Sequence, residues 1–223
     1  MIKAGQYELL KTSYEDANRI ADSYGLPPLY KDNYLFAQRL FSSYGKTQRK
    51  DMPRIRTKNQ LLLQKRLKQG YIDINKPFAP ETNPSDPFPK GISKEQAKNF
   101  LVNGLKDNDI NDDKINISLK GISATKLKPI QKQIYLSEVF DLYRNQGDKY
   151  LKNSLFLCTS DLFILDGHHR FVAALLFNPS LKLKALLIDL PINKLLPLLL
   201  TYTNAIGNIQ NEIKLTSLCK NIW

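Results

Sequence analysis

The chain has little cysteine, histidine or tryptophan: two, two and one among 223 residues. Two cysteines, Cys158 and Cys219, can build neither a disulfide framework nor a CxxC metal knuckle, so the chain reads as a protein of a reducing compartment. Long apolar runs are also missing. Leu195 to Leu200 is interrupted by Pro197, and no apolar run approaches the roughly 20 residues of a membrane span. The first residues, MIKAGQYELL, carry no apolar stretch of the secretory kind. No membrane partner is expected, and a soluble intracellular or virion protein is left. A Walker loop, GxxxxGK[ST], is absent. Acidic residues are in deficit, 21 against 33 basic ones, giving +12. Arginine is scarce too, 8 against 25 lysines, which weakens a role in reading base edges through guanidinium forks.

What is present supports a folded core. The hydrophobic fraction is 42% and the charged fraction 24%, so collagen-like, mucin-like and wholly disordered chains are excluded. The positive charge is concentrated. Between 46 and 68 lie nine basic residues (Lys46, Arg49, Lys50, Arg54, Arg56, Lys58, Lys65, Arg66, Lys68) and one acid, Asp51, which is two thirds of the net excess. Within this stretch Thr57-Lys-Asn-Gln60 has the form of a capping box. Leu61, Leu62, Leu63 and Leu67 supply an apolar face, and Gly70 ends the helix. The plainer reading is a solvated helix docked by its leucines. The sharper one is sequence-independent contact with nucleic acid or another phosphate-rich partner through Arg49, Lys50, Arg54, Arg56, Lys58, Lys65, Arg66 and Lys68.

Ahead of it, Ser13-Tyr-Glu-Asp16 opens a helix running to Gly25, and Asp32 is expected to cap a second one. Residues 76 to 90 hold five of the twelve prolines and read as an extended linker. A helix then runs from Ser93 to about Gly104. The acids at 107, 109, 112 and 113 suggest a calcium loop, but the D-x-D-x-D-G register and the terminal glutamate are missing, so none is expected. From Ile115 strands and helices alternate. Strands are expected at Ile115–Leu119, Leu155–Cys158, Leu162–Leu165 and Leu183–Leu190. Helices are expected at Ser137–Asn145, at His168–Phe177 and from Pro191 onward. The expected organisation is a helical, basic extension over 1–75, a proline-rich linker over 76–92 and a small mixed α/β domain over 93–223.

The most informative segment is Leu162-Phe-Ile-Leu-Asp-Gly-His-His-Arg-Phe-Val-Ala-Ala-Leu-Leu176. An apolar strand runs into Asp166-Gly167, and a helix begins at once. Gly167 allows a tight turn, and the N–H groups of His168, His169 and Arg170 then suit an anion, phosphate above all. Arg170 adds a fork for phosphate oxygens. His168 and His169 can donate hydrogen bonds or shuttle protons. Asp166 can cap the helix, hold a metal ion such as Mg²⁺, or orient a substrate hydroxyl. No metal site is assigned with certainty. The plainer alternative is a structural strand–turn–helix with Asp166 as N-cap.

Asp-Gly-His-His-Arg ahead of an apolar helix resembles the signature of the ParB/sulfiredoxin superfamily. Leu127-Lys-Pro-Ile-Gln-Lys-Gln-Ile134 is similar to the segment before that family's first helix, which lies across the pocket from the phosphate turn. The stretch from Arg54 to Asn208 also resembles ParB-like proteins of tailed bacteriophages, particularly marine ones. The resemblance implies an α+β fold, a small mixed sheet with flanking helices, and a nucleotide-phosphate site. That site would draw on Gly167, His168, His169, Arg170, Lys128, Gln131 and Gln133. The chain departs from the family in three places. The position of the sulfiredoxin cysteine is His168 here, so peroxiredoxin repair is not expected. The ParB turn Gly-Glu-Arg-Arg is replaced, and only 33 residues follow Leu190, too few for a helix-turn-helix reader and a dimerisation tail. The free serine kinases of this fold carry a very similar turn and use a glutamate base; Glu138 is the matching candidate, or else a solvated helix residue.

The resulting expectation is a nucleotide-dependent phosphotransferase or NTP hydrolase. It would use ATP, ADP or CTP with Mg²⁺, with Asp166, His168 and Glu138 as catalytic groups. The alternatives are a nucleic-acid-associated, nuclease-like or packaging phage protein, or a virion structural protein with a relict nucleotide site. The expected location is the cytoplasm: for a viral protein, that of the host, or the virion.

Overall fold

The computed structural model describes residues 7–53, 55, 57–75, 94–109 and 111–206. The fold is α+β. Seven α-helices are described: α1 Tyr14–Ser23, α2 Lys31–Tyr44, α3 Thr57–Lys68, α4 Lys94–Phe100, α5 Leu136–Asn153, α6 His168–Phe177 and α7 Ile192–Ala205. Five strands, β1 Ile117–Ser123, β2 Lys128–Pro129, β3 Leu155–Thr159, β4 Phe163–Asp166 and β5 Lys182–Ile188, form one sheet in the order β1-β5-β3-β4-β2. The sheet is mixed: β2 runs parallel to β4, and β3 antiparallel to β4. None of the described helices is long and apolar enough to cross a membrane.

The chain folds into two compact units. Among the described residues, the first comprises those of 7–49, 119–158 and 162–187, and the second those of 50–75, 94–118, 159–161 and 188–206. They interleave along the chain. The proline-rich stretch and Ser93 lie outside the described residues.

The first unit is built around α6. Phe171 to Leu176 are all buried, so this helix is apolar on every side and needs cover all round. It packs against α5 and α2, and its core continues through Tyr34, Phe41, Phe140, Phe156, Leu183 and Ala185. The N-terminal helices therefore share one core with the strand–turn–helix. Residues of the extension also pair with the segment after β2. Leu9 N donates to Ile134 O at 2.9 Å and Leu136 N to Tyr7 O at 2.8 Å. Thr47 N donates to Ile130 O at 2.9 Å and Lys132 N to Thr47 O at 2.8 Å.

Local signals behave largely as their chemistry requires. Ser13 Oγ accepts from Asp16 N at 3.0 Å and caps α1. Asp32 does not cap α2: the cap position is Tyr30, and Asp32 sits in the first turn, where its charge meets the positive helix end. Gly147, at φ +61°, interrupts α5, yet the helix resumes to Asn153, past the expected end at Asn145. The strand expected from Ile115 begins at Ile117, and α4 ends at Phe100 rather than near Gly104.

In the second unit, α3 buries Leu63 and Leu67, while Leu61 is 75% exposed and Leu62 44% exposed. The expected face of four leucines is thus a face of two. Gly70 ends the helix with φ +68°, and Tyr71 N donates to Arg66 O at 2.9 Å. α4 packs against α7, whose Leu195, Leu198, Leu199 and Tyr202 are buried.

Candidate functional site

The strand–turn–helix lies in the first unit, where β4 ends at Asp166 and α6 starts at His168. Gly167 between them has φ +101°. A Cβ there would come within 2.8 Å of Arg170 Nη2 and 3.1 Å of Phe156 Cδ1. Both the left-handed backbone and the close approach call for glycine. No side chain caps α6.

Arg170 folds back over this turn. Its Nη2 donates to Asp166 Oδ2 at 3.0 Å and its Nη1 to Leu155 O at 3.2 Å, with the guanidinium 5.0 Å from the Phe156 ring centre. The fork expected to face phosphate is therefore held by a carboxylate and a carbonyl. Burial pushes the Asp166 carboxyl up from its ordinary value, against the opposing pull of Arg170 and of the Gly167 N–H.

His168 has a different part from the base or donor expected of it. It is buried, and its Nε2 accepts from Ile130 N at 3.3 Å and Gln131 N at 3.2 Å. Burial, with His169 and Arg170 nearby, pushes its pKa down to about 3. A neutral ring whose acceptor nitrogen is already engaged by two backbone donors ties the segment after β2 to the start of α6. It neither shuttles protons near neutrality nor donates from Nε2 to phosphate.

His169 continues the same seam. Its Nε2 accepts from Tyr135 N at 3.3 Å and lies 3.6 Å from Glu138 Oε2. Burial lowers it to about 4, against the pull of Glu138, so at neutral pH it too is an uncharged acceptor and this contact is no ion pair.

Glu138 is neither a solvated helix residue nor a free base. Arg49 grips it with both guanidinium nitrogens, Nη1 to Oε1 at 2.6 Å and Nη2 to Oε2 at 3.1 Å. Burial raises the carboxyl, but the hydrogen bonds and charge of Arg49, together with His169, outweigh it and hold the group below its ordinary value. Arg49 also donates its backbone N–H to Gln133 Oε1 at 3.3 Å, and its guanidinium lies 5.5 Å from the Tyr135 ring centre. Sequence places Arg49 in a diffuse basic arm; the fold makes it part of this site. The signal that could have found it is weak, because its partner is 89 residues away.

The other expected residues divide. Gln131 is buried, and its amide donates to Gln133 O. Lys128 lies on β2 opposite Phe163, its ammonium 5.2 Å from the Phe163 ring centre and 5.7 Å from that of Tyr44. In the basic stretch, Lys50, Lys65 and Lys68 are exposed. Arg66 instead donates to Tyr202 Oη at 3.2 Å in the second unit. Arg54, Arg56 and the side chain of Lys58 lie outside the described residues. Cys158 is buried, and burial with the nearby Asp166 charge pushes its thiol up to about 12, which makes it inert as a nucleophile.

This is an α+β protein whose candidate site is a glycine turn at the head of a buried helix, flanked by two arginine–carboxylate pairs. Comparisons with family models, with curated proteins and with solved structures find no match.

Proposed function

We propose that the head of α6 binds the phosphate groups of a nucleotide, in the manner of ParB/sulfiredoxin-like proteins, and serves a phosphotransferase or NTP hydrolase. The observation that carries this reading is the start of α6, which has a left-handed glycine at its cap position and no side-chain cap. Its first N–H groups need an acceptor, and a phosphate supplies one while meeting the positive end of the helix dipole. Arg170 adds charge beside that position, and Arg49 adds a second guanidinium along the same seam. Asp166 is the residue that would hold Mg²⁺, and such an ion would offset the charge of the phosphates. Glu138 is kept ionised by Arg49, which engages both its carboxylate oxygens, so in this reading it holds that guanidinium in place rather than accepting a proton. His168 acts by positioning, through its two backbone hydrogen bonds.

The reading is tested by thermal-shift titration with ATP, ADP, CTP and GTP, each with Mg²⁺. A ligand that binds the folded form raises the melting temperature with its occupancy. Arg170→Ala should lose that rise and any turnover. No rise with any nucleotide, or full turnover by Arg170→Ala, would refute the assignment.

A second reading is a nucleic-acid-associated or packaging protein of phage type, or a virion structural protein. It draws on the exposed Lys50, Lys65 and Lys68. Nucleic-acid binding of this kind falls steeply with salt and weakens when Lys65 and Lys68 are replaced by glutamine.

A further inference from the structure

We propose that Asp73, Asp107 and Asp113, in the second unit, form a binding site for calcium or a hard divalent cation of its size. Such a site is independent of the nucleotide reading and involves none of its residues.

One carboxylate oxygen from each of these three residues lies within 4.8 Å of the others. Calcium binds carboxylate oxygens at about 2.3–2.6 Å, so oxygens on opposite sides of one ion are about 4.6–5.2 Å apart. The triad lies within that span. Magnesium demands stricter octahedral geometry and gives up its waters reluctantly, so a site of three carboxylates completed by water suits the more adaptable calcium.

The second observation is Asp113 itself. It is 0% exposed, and its Oδ1 accepts from Ile74 N at 2.7 Å. No donor meets its Oδ2. Among the described residues this is the one buried side-chain polar atom left without a hydrogen bond. Burying a carboxylate oxygen without a partner is costly, and such groups are ordinarily satisfied or bind a metal. Burial first, then the charges of Asp73, Asp112 and Asp107, push Asp113 up to about 6, against the pull of the Ile74 N–H.

The surroundings hold this arrangement in place. Asn103 Oδ1 accepts from Asp73 N at 2.8 Å, and Gly104 N donates to Tyr71 O at 3.1 Å, so residues 103–104 lie against 71–73. A Cβ on Gly104 would come within 2.6 Å of Asp113 Oδ2, so only glycine leaves room for that oxygen. Among the described residues, the lysines adjacent in sequence to Asp107 and Asp113 make hydrogen bonds to other residues: Lys106 donates to Asn99 at 2.9 Å and Lys114 to Asn111 at 2.9 Å. Asp107 is exposed and gives the site an opening to solvent, while Asp73 and Asp113 are buried beneath it. Water would complete the shell of roughly six to eight oxygens that calcium takes. The acidic run 107–113 fails as a linear calcium loop because one ligand, Asp73, comes from the turn after α3.

The test uses the full chain, stripped with EDTA, without nucleotide, and titrated with CaCl₂ or MgCl₂ while the melting temperature is followed. Calcium is expected to raise it with concentration. The midpoint should shift at least about tenfold upward in Asp107→Asn, whose exposed side chain is not needed for folding. The response should vanish in Asp113→Asn. If Asp113→Asn does not fold, Asp107→Asn carries the test alone. No calcium response up to about 10 mM overturns the proposal. So does an unchanged midpoint in Asp107→Asn, or a response to magnesium with none to calcium.

Discussion

His168 makes a quantitative prediction about acid stability. Its ring is neutral in the fold, held at about 3 by burial and by His169 and Arg170, against 6.5 for an ordinary histidine. Unfolding releases it to take up a proton below about 6.5. The unfolded state then binds more protons, so stability falls as pH falls. The contribution is fully present above about 6.5 and is lost progressively toward about 3. Between pH 7 and pH 5 the loss from this one ring is about 2 kcal/mol, from 1.36 kcal/mol per pKa unit. The figure depends on the unfolded value and hardly on the folded one, because at pH 5 the folded ring is neutral either way. Other groups shift as well. His169 acts in the same direction, while Asp113 and Asp166, raised by burial, act in the opposite one. His168→Gln removes this one titration. Glutamine places an oxygen near the position of Nε2, keeps an acceptor for Ile130 N and Gln131 N, and does not titrate. Urea unfolding of both proteins at pH 7, 6 and 5 should show wild type losing about 2 kcal/mol more than the variant over that interval. Equal losses, within about 0.5 kcal/mol, would show that the ring is not a neutral buried acceptor.

The same contacts set further outcomes. Gly167→Ala should destabilise the fold by about 1–3 kcal/mol, because the residue must hold φ +101° and displace Arg170 from Asp166; chemical denaturation measures it. Arg49→Ala should cost about 1 kcal/mol, since the pair it breaks is partly exposed, and should raise the Glu138 pKa in a carboxylate NMR titration. A double-mutant cycle with Glu138→Gln that shows no coupling would contradict that geometry. Leu63→Ala should cost about 2–4 kcal/mol through the cavity it leaves, while Leu61→Ala should lie within about 0.5 kcal/mol of wild type; equal effects would mean that α3 presents another face. In a Cys219→Ser background, Cys158 should resist thiol reagents until the protein unfolds.

Several features could be read directly along the chain. The helix at 168–177 and its glycine turn are legible because an apolar strand, a glycine and an unbroken apolar run stand next to one another in sequence. The capping of α1 by Ser13 is equally local. Charge alone could not reveal that Arg49 leaves the basic stretch to grip Glu138, or that Arg66 turns to Tyr202, since both partners are distant in sequence. Leucine spacing could not tell which of four neighbouring leucines α3 would bury, because a helix face acquires its inside only from what packs on it.

Residue order alone carries the local chemistry: where helices start, where strands end, and that two histidines and an arginine stand at one turn. What those groups do depends on the packed fold. Burial made His168 a neutral acceptor rather than a proton carrier, and packing turned Arg170 toward Asp166. Folding of Asp73 onto Asp107 and Asp113 created an acidic cluster that no linear spacing shows. The physical reason is common to all three. Protonation, charge pairing and cation affinity depend on desolvation and on neighbours within a few ångströms, and those neighbours are set by the fold rather than by the order of residues.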